Sequence, residues 1–368
     1  MYIKNIKIYN FRNISKLELN FNRGYNIIFG DNAQGKTNLV ESICLALSAK
    51  SFREKSTINF IGKYDDYSKI ELDVVIEDNL NVLVELFLKG NKKSILINGE
   101  AVKKRDQLLK YFNVIYFIPD ELNLIKGNPE IRRKFIDSSI SAIYPQYLSI
   151  LSDYYKIIKQ KNTVLKKGGY EINELIDIYN QKLAELGTII IKYRIKFLKE
   201  IEKEFNNLYM KMSQGKEKLS FTYISDILKN NMTKDIQDTF TTLLQNKKNE
   251  EIQYRQCKCG IQYDDINIFI DNREAKRFAS QGQQRSLALS LKLSMINLYK
   301  EKNDTYPIVL LDDVMSELDG NRQAILLNIL DKKQTFITSV NRDFVEYNKS
   351  YAIFYVLGGK IKELLNDR

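Results

Sequence analysis

The sequence has no histidine among its 368 residues. That absence excludes catalysis by a histidine relay and metal sites with imidazole ligands. Cysteine is scarce as well, because the chain has only three, too few for a disulfide framework. The Cys257-x-Cys259 pair lacks the additional Cys or His ligands that a zinc site requires. We therefore expect Cys257, Cys259 and the remaining Cys44 to be reduced and structural.

Long apolar runs are missing too. A membrane-spanning helix needs about 20 consecutive apolar residues, and no run in this chain approaches that length. The first residues, Met1 to Ile6, alternate like a strand and show no signal-peptide pattern. These features predict a cytoplasmic protein without a membrane partner. Because 44% of its 368 residues are hydrophobic, the chain can bury a large core in one to three domains.

Basic residues exceed acidic ones, since 57 Lys and Arg stand against 46 Asp and Glu, a formal net charge of +11. Such an excess favours polyanionic partners, because cations that neutralise phosphates release condensed counterions. A surface charged for solubility is the alternative. Local clusters favour DNA: Lys103–Arg105, Arg132–Lys134 and Lys166–Lys167. The sequence shows no recognition-helix motif and no aromatic platform for single strands, so we expect contacts mainly to backbone phosphates.

A phosphate-binding loop is predicted between an apolar strand, Tyr25–Phe29, and a helix that opens at Asn38–Ile43, in the pattern G-x-x-x-x-G-K-[ST]. The glycines allow the backbone N–H groups to point at phosphate oxygens, Lys36 would neutralise the β- and γ-phosphates, and Thr37 offers a hydroxyl to Mg²⁺. We expect ATP and Mg²⁺ as ligands; an ordinary glycine turn is the alternative. The predicted nucleotide-binding residues are Gly30, Asp31, Asn32, Ala33, Gln34, Gly35, Lys36, Thr37 and Asn38.

A second strand of such a site is predicted at Ile308–Leu311, an apolar run that ends in two aspartates. Asp312 is predicted to hold the magnesium through a water. Asp313, expected on the other side of the strand, is a candidate to orient or deprotonate the attacking water. A purely structural carboxylate at the strand end is the alternative for Asp313.

Two further segments accompany these motifs. The stretch Ser280–Arg285, with the sequence SQGQQR, precedes a Leu-rich helix at Leu287–Leu293, so Ser280 or a near neighbour is predicted to cap that helix. Helix N-termini bind anions, and the segment is therefore consistent with a plain cap or with a cover for the far end of a triphosphate. The loop Ser316–Asp319, with the sequence SELD, follows the aspartate pair.

Together these segments resemble the ATP-binding-cassette heads of SMC and Rad50 proteins, and most of all the RecF family, along nearly the whole chain. The order and spacing of the segments carry the resemblance more than any one of them. It predicts an α/β fold: an ABC-type P-loop ATPase head, with a mixed sheet and N-terminal antiparallel strands, plus an inserted helical lobe with a long helical hairpin. Further supporting segments are Asn10–Asn13, Phe117–Leu122, Lys126–Asp137 and Lys159–Asn162.

The resemblance implies a working site that forms between two copies. Ser280 and Gly282 of one copy would then close over the nucleotide held by the other, so that ATP binding drives a homodimer. Gln283 and Asp319 are further implied nucleotide-binding residues. Lys36, Asp312, Asp313 and Ser280 are the implied catalytic residues. The implied activity is weak, DNA-stimulated ATP hydrolysis, and the alternative is a DNA-bound scaffold with negligible turnover.

The resemblance also implies partners and a cellular role. It implies binding to gapped duplex DNA and to junctions of single and double strands. It further implies cooperation with the RecO and RecR mediators to load the RecA recombinase, in recombinational repair, replication restart and the SOS response.

The chain departs from the expected pattern at two places. It lacks the switch histidine that many ATP-binding cassettes carry after the second strand, although Thr338 or Ser339 offers a hydroxyl there. A γ-phosphate sensor and a hydroxyl bonded to backbone are equally consistent with those residues. RecF proteins usually carry G-P-H-R-D-D where this chain has Gly260–Asp265, GIQYDD, so that the acids persist and the basic pair is absent.

Periodicity divides the chain into residues 1–128 and 256–368, the two halves of the ATPase lobe, around a helical lobe at 129–255. One long helix is predicted from the apolar spacing across Ile172–Met212, paired with Tyr147–Leu165 through Gly168-Gly169. On a face away from that apolar seam lies a lysine stripe, which is consistent with DNA contact or with a solvated surface. The lysine stripe comprises Lys192, Lys196, Lys199 and Lys203. The predicted N-terminal strands are Tyr2–Ile8, Lys16–Phe21, Ile70–Ile76, Asn81–Leu88 and Ser94–Ile97.

Overall fold

The structure is a computed structural model that describes residues 1–76, 80–119, 123–168, 172–215, 217–229, 235–341 and 350–364. It divides into two units. The first comprises Met1–Glu121 and Met295–Arg368, and the second comprises Leu122–Ser294.

The first unit begins with an antiparallel sheet in the strand order β2-β1-β4-β5-β6-β7. Buried and exposed residues alternate along β4 and β5, as expected when one face of a sheet covers a core. The predicted N-terminal strands are confirmed within a few residues at each end. The six strands are β1 (Tyr2–Phe11), β2 (Ile14–Asn20), β4 (Tyr67–Val75), β5 (Asn81–Lys89), β6 (Lys92–Ile97) and β7 (Glu100–Ala101).

A second, largely parallel sheet completes this unit in the order β15-β14-β3-β13-β12-β8. Its central strands β12 and β13 are buried at every position, which is typical of parallel strands covered on both faces. Only β15 runs antiparallel, to β14. The six strands are β3 (Tyr25–Phe29), β8 (Val114–Phe117), β12 (Ile308–Asp312), β13 (Thr335–Ser339), β14 (Tyr351–Leu357) and β15 (Lys360–Leu364).

Helix α1 (Lys36–Ser48) lies between the two sheets and contacts strands of both. Because it is covered on all sides, ten of its residues are buried, among them Leu39, Val40 and Ile43. The mixed α/β head that was predicted from the sequence is confirmed. The shorter helices of this unit are α2 (Arg105–Leu109) and α10 (Gly320–Ile329).

The second unit consists of helices around a three-stranded sheet in the order β11-β10-β9. The predicted long helix is confirmed at the predicted bounds as α6 (Ile172–Met212), and α5 (Gln146–Lys167) and α7 (Ile236–Tyr254) pack along it. Gly169, in the predicted turn of the hairpin, lies outside the described residues. The other elements are α3 (Asn123–Lys126), α4 (Pro129–Ile143), β9 (Leu219–Ile224), β10 (Asp265–Ile270), β11 (Arg273–Glu274) and α8 (Ala275–Phe278). Helix α9 (Gln281–Asn303) begins in this unit.

The division between the units differs from the predicted boundaries at residues 128 and 255. The first boundary lies slightly earlier, after Glu121, and the second lies much later, after Ser294. The physical reason is that β10 pairs with β9 over its full length and contacts α4, so the chain after residue 255 remains part of the helical unit. None of the helices in the described ranges combines the length and apolar character needed to cross a bilayer.

Candidate functional site

The register of the parallel sheet brings three strand ends to one edge. Thr338 on β13 lies opposite Ile28 on β3 and also opposite Asp312 on β12. Because all three strands are parallel, the loop after β3 and the residues after β12 emerge at this same edge. The pairing therefore joins motifs that are far apart in sequence.

The loop after β3 has the backbone of a phosphate cradle. It starts at Gly30 with φ +150° and ends at Gly35 with φ +114°, values that strongly favour glycine. Helix α1 follows directly, with Gly35 as its N-cap. The loop amides and the positive end of the α1 dipole are therefore available to an anion.

Lys36 closes this loop from inside. Its Nζ donates to the carbonyl oxygens of Gly30 at 2.6 Å and Asp31 at 2.9 Å, and only 6% of the residue is exposed. Burial lowers the pKa of Lys36, while the nearby carboxylates of Asp313 and Asp312 oppose that shift. The ammonium group is thus held among loop carbonyls and beside acidic side chains.

Asp312 is the centre of a compact hydroxyl cluster. Its Oδ1 accepts from Thr37 Oγ1 at 2.8 Å and from Thr338 Oγ1 at 2.7 Å, and it is 7% exposed. Burial raises the pKa of Asp312, and the two hydroxyl donors oppose the shift. The hydroxyl of Thr338 also accepts the backbone N–H of Asp313 at 2.9 Å. Thr338 is therefore a buried hydroxyl bonded to backbone and to the strand-end carboxylate.

Asp313 does not continue the strand, in contrast to the predicted alternation. Strand β12 ends at Asp312, and Asp313 has φ +57°, a left-handed conformation that is uncommon outside glycine and that Asp tolerates better than most residues. Its Oδ1 is a buried oxygen for which the described residues supply no hydrogen-bond donor. Such backbone strain beside an unsatisfied carboxylate is typical of functional sites.

These residues fit a magnesium nucleotide. Mg²⁺ prefers hard oxygen ligands, and Thr37 and Asp312 place a hydroxyl and a carboxylate in contact, with the unsatisfied Asp313 oxygen following in sequence. When bound, the ion would neutralise phosphate charge and polarise phosphoryl oxygens. The donor set is therefore consistent with the predicted cofactors.

Ser280 lies in the second unit and caps α9, as predicted. Its Oγ accepts the Gln283 N–H at 3.2 Å, and Gln283 Oε1 accepts the Ser280 N–H at 2.7 Å, a reciprocal capping box. Gln283 Nε2 also donates to Glu217 Oε1 at 2.6 Å, a partner that the sequence pattern did not indicate. Gly282 lies in the first turn of α9.

Asp319, in the first unit, has a local structural role. It is the N-cap of α10, where its Oδ1 accepts the Arg322 N–H at 3.0 Å. That hydrogen bond, followed by the charge of Arg322, lowers the pKa of Asp319. The structure thus brings Gly30–Asn38, Asp312 and Asp313 to one sheet edge, and it places Asp319 at a helix start.

The divergent segment Gly260–Asp265 packs inside the second unit. Asp264 is buried and pairs with Arg194, and Asp265 forms a salt bridge of 2.7 Å with Arg132. Where the usual basic pair is missing, Gln262 accepts from Tyr154 at 2.9 Å. The retained acids therefore have internal partners.

Two residues that brace the phosphate loop were not among those predicted from the sequence. Asn13, in the turn between β1 and β2, donates from Nδ2 to the carbonyl of Gln34 at 3.0 Å. Gly359, in the turn between β14 and β15, donates its N–H to the same carbonyl at 2.9 Å. The only available signals were the Asn10–Asn13 segment and the Gly-Gly turn, and neither indicates a contact with residue 34.

The chain is similar to known proteins along nearly its whole length. A family model described as RecF/RecN/SMC N terminal domain matches residues 2–362. DNA replication and repair protein RecF of Clostridioides difficile (strain 630) is 38% identical over 383 residues, covering 100% of this chain and 99% of the relative. The same-named protein of Clostridium perfringens (strain 13 / Type A) is 36% identical over 365 residues, 98% of this chain and 100% of the relative.

Solved structures are similar over the same length. "Structure of the recombination mediator protein RecF-ATPrS in RecFOR pathway" is 33% identical, has a TM-score of 0.90, and covers 99% of this chain and 98% of that chain. An SMC head bound to the C-winged helix domain of ScpA is 17% identical with a TM-score of 0.59, covering 100% of this chain and 98% of that chain. At that identity the second similarity supports the fold alone, which is that of an ABC-type ATPase head.

Proposed function

This chain belongs to the RecF family of DNA replication and repair proteins, and on that basis we propose that it is an ATP-dependent DNA-binding repair protein. ATP binding closes a homodimer on DNA, and slow hydrolysis reopens it. The observation that carries the proposal is the 2.8 Å contact of Thr37 with Asp312, residues 275 positions apart.

The proposed roles follow the geometry of the sheet edge. Residues Gly30 to Asn38 surround the phosphates, with Lys36 leaving its loop carbonyls to neutralise them. Thr37 and Asp312 hold Mg²⁺. Asp313, with its unsatisfied Oδ1, orients the attacking water.

The other half of the site is proposed to come from a second copy. Ser280 is exposed at the N-terminus of α9, where backbone amides favour an anion such as the γ-phosphate. Ser280, Gly282, Gln283 and Asp319 would seal the nucleotide of the partner copy. A ligand that binds only the closed dimer stabilises it by mass action, so association depends on ATP.

Hydrolysis assays test the catalytic part of this proposal. The parental protein is expected to hydrolyse ATP slowly and faster with gapped duplex DNA, and Lys36→Ala is expected to lose that activity. Asp313→Asn is expected to bind ATP but to hydrolyse it at least 10-fold more slowly, because an amide would orient the attacking water less well than the carboxylate and could not accept its proton. The rate of phosphate release, with and without DNA, measures ATP hydrolysis by all three proteins.

Two outcomes would contradict the proposed ATP hydrolysis or the role of Asp313 in it. A parental rate that DNA does not stimulate and that Lys36→Ala does not reduce would favour the scaffold alternative. Parental turnover in an Asp313→Asn protein that still binds ATP would remove Asp313 from the catalytic role.

DNA binding is proposed to use the lysine stripe on α6, whose four members are all exposed. If they contact phosphates, their joint replacement by Gln should weaken binding to gapped duplex at least 10-fold. It should also reduce the slope of log K against log salt by about 0.9 for each phosphate that the lysines no longer neutralise. Fluorescence anisotropy at several salt concentrations measures both quantities.

The matched control removes four exposed lysines of the first unit. An equal decrease of affinity in the two proteins would indicate a general charge effect and would contradict a specific role of the stripe. The control lysines are Lys16, Lys63, Lys89 and Lys92.

The family also supports the proposed partners. One similar structure is described as a recombination mediator in the RecFOR pathway. We accordingly propose that this protein binds single-strand gaps and junctions and cooperates with RecO and RecR to load RecA, in repair, replication and the SOS response.

A further inference from the structure

The carbonyl of Gln34, within the phosphate loop, has two hydrogen-bond donors that come from outside the loop. Asn13 Nδ2 approaches it at 3.0 Å and the Gly359 N–H at 2.9 Å. A carbonyl oxygen has two lone pairs, so this pair of donors satisfies it fully. The direction of the Gln34 carbonyl is thereby fixed by two turns that are remote in sequence.

Fixing this carbonyl also fixes the next amide. No peptide bond among the described residues is cis, and in a planar trans peptide the N–H points opposite to the C=O. The N–H of Gly35 is therefore directed away from Asn13 and Gly359. Lys36 closes the interior of the same loop through the Gly30 and Asp31 carbonyls, and bound phosphates would lie on that inner side.

We propose that Asn13 and Gly359 are positioning residues that orient the Gln34–Gly35 peptide so that its N–H faces the bound phosphates. The inference rests on the proposed nucleotide-binding function and specifies how this chain preorganises that site. Preorganised donors bind an anion more tightly because no reorganisation is required when it arrives.

Asn13 is itself held in place. Its Oδ1 accepts from Asn38 Nδ2 at 2.8 Å, which sets the amide orientation so that Nδ2 faces Gln34. The side chain also lies directly over Gly35, where a Cβ would be only 2.8 Å from either amide atom. Glycine at position 35 is therefore required by its φ and by the Asn13 side chain.

Gly359 reaches the loop through a close backbone approach. A Cβ at this position would lie 2.1 Å from the Asn13 carbonyl oxygen, and φ is +77°. The turn has little freedom to retreat, because β14 pairs with β3 up to Tyr355 opposite Phe29, the last residue before Gly30. A side chain at residue 359 must therefore displace the Asn13 turn, the Gly359 N–H, or both.

The test compares ATP affinity and turnover in the full-length protein. Asn13→Ala and Gly359→Ala are each expected to raise the Kd for ATP, measured by calorimetry, and the KM about 10-fold, with kcat changed less than about 3-fold. The split follows because the peptide contacts phosphates equally in the ground state and the transition state. Loss of fold would instead lower kcat through loss of active protein.

A double-mutant cycle makes the test stricter. Because both residues act on one carbonyl, the combined variant should lose much less affinity than the product of the two single effects. Gly90→Ala is the matched control. Gly90 has φ +54° in the turn between β5 and β6 and open space around its Cα, so it carries the same backbone strain away from the loop.

The outcomes separate this inference from the proposed function. If the parental protein binds ATP, Lys36→Met does not, and Asn13→Ala and Gly359→Ala bind like the parent, the positioning role is wrong and the function stands. If the parental protein does not bind ATP, both are wrong. Should Gly359→Ala fail to fold, Asn13→Ala decides the question, because it removes one donor and creates no clash.

Discussion

A Ser280→Arg protein is expected to bind ATP as the parent does and yet to remain monomeric in its presence. Ser280 lies in the second unit, whereas Lys36, Thr37 and Asp312 lie in the first. The substitution therefore leaves the phosphate loop intact. Arginine removes the Ser280 cap and places a positive charge at the positive end of the α9 dipole. Its long side chain would also occupy the space that the γ-phosphate of a partner copy needs.

The contrasting variant is Lys36→Met, which is expected to lose ATP binding and with it the dimer. Light scattering with ATP, with ADP and without nucleotide measures the mass of each variant, and calorimetry in parallel measures its affinity for ATP. With ATP at micromolar protein concentration, the parent should be a dimer and both variants should be monomers, but only Ser280→Arg should bind ATP. An ATP-bound dimer of Ser280→Arg would refute the arrangement in which one copy seals the nucleotide of the other.

Loss of a helix cap needs its own control. Asp235 is the N-cap of α7, and its Oδ1 accepts the Gln237 N–H at 3.0 Å. Asp235→Ala removes this cap and should lower the free energy of unfolding by ~1 kcal/mol, as loss of the Ser280 cap should. This protein should still dimerise with ATP. If it does not, helix destabilisation and not the position of Ser280 explains the absence of the dimer.

Arg194→Leu is expected to destabilise the second unit by about 3–5 kcal/mol, the usual cost of leaving buried charges unpaired. Arg194 on α6 is 1% exposed in its side chain and pairs with Asp137 on α4 at 3.0 Å and with Asp264 at 3.2 Å. Tyr147 donates to Asp137 and Tyr223 donates to Asp264. One guanidinium thus joins two carboxylates from different segments. Without it Asp137 loses the cation of this ion pair, and Asp264 keeps only the nearby charge of Arg133, which donates to the Asp264 backbone carbonyl.

The destabilisation should depend on pH. Burial raises the pKa of Asp264 from 3.8 to about 6, with Arg194 opposing the shift. The folded protein therefore binds more protons than the unfolded chain between these values, and the contribution of this carboxyl to stability increases as pH falls through about 6. Removing Arg194 raises the folded pKa further, so the deficit of Arg194→Leu should be smaller near about pH 5.5 than near about pH 8.

Urea unfolding followed by circular dichroism at both pH values measures this effect. The control is Lys156→Leu, which breaks an exposed ion pair with Asp153 on α5 and should change little. An Arg194→Leu protein as stable as the parent near about pH 8 would contradict the assigned role of the cluster. A deficit that grows on acidification would contradict the assignment of Asp264 as the titrating group.

Local patterns were sufficient for much of this fold. The spacing of apolar residues every three or four positions located α6 at its observed bounds, and strand alternation located the N-terminal sheet. The phosphate loop was recognisable because its glycines, lysine and threonine are consecutive. Such features depend on residues that are close together in sequence, so they can be predicted from the spacing of apolar and glycine residues.

Long-range packing decided what those patterns left open. The contacts of Thr37 with Asp312 and of Asn13 with Gln34 depend on which strands pair and in which register. The late return to the first unit, after Ser294, depends on β10 pairing with β9. The left-handed turn at Asp313 follows where β12 ends. These features depend on contacts between segments that are far apart in sequence. The spacing of residues within one segment does not show which other segment it will contact.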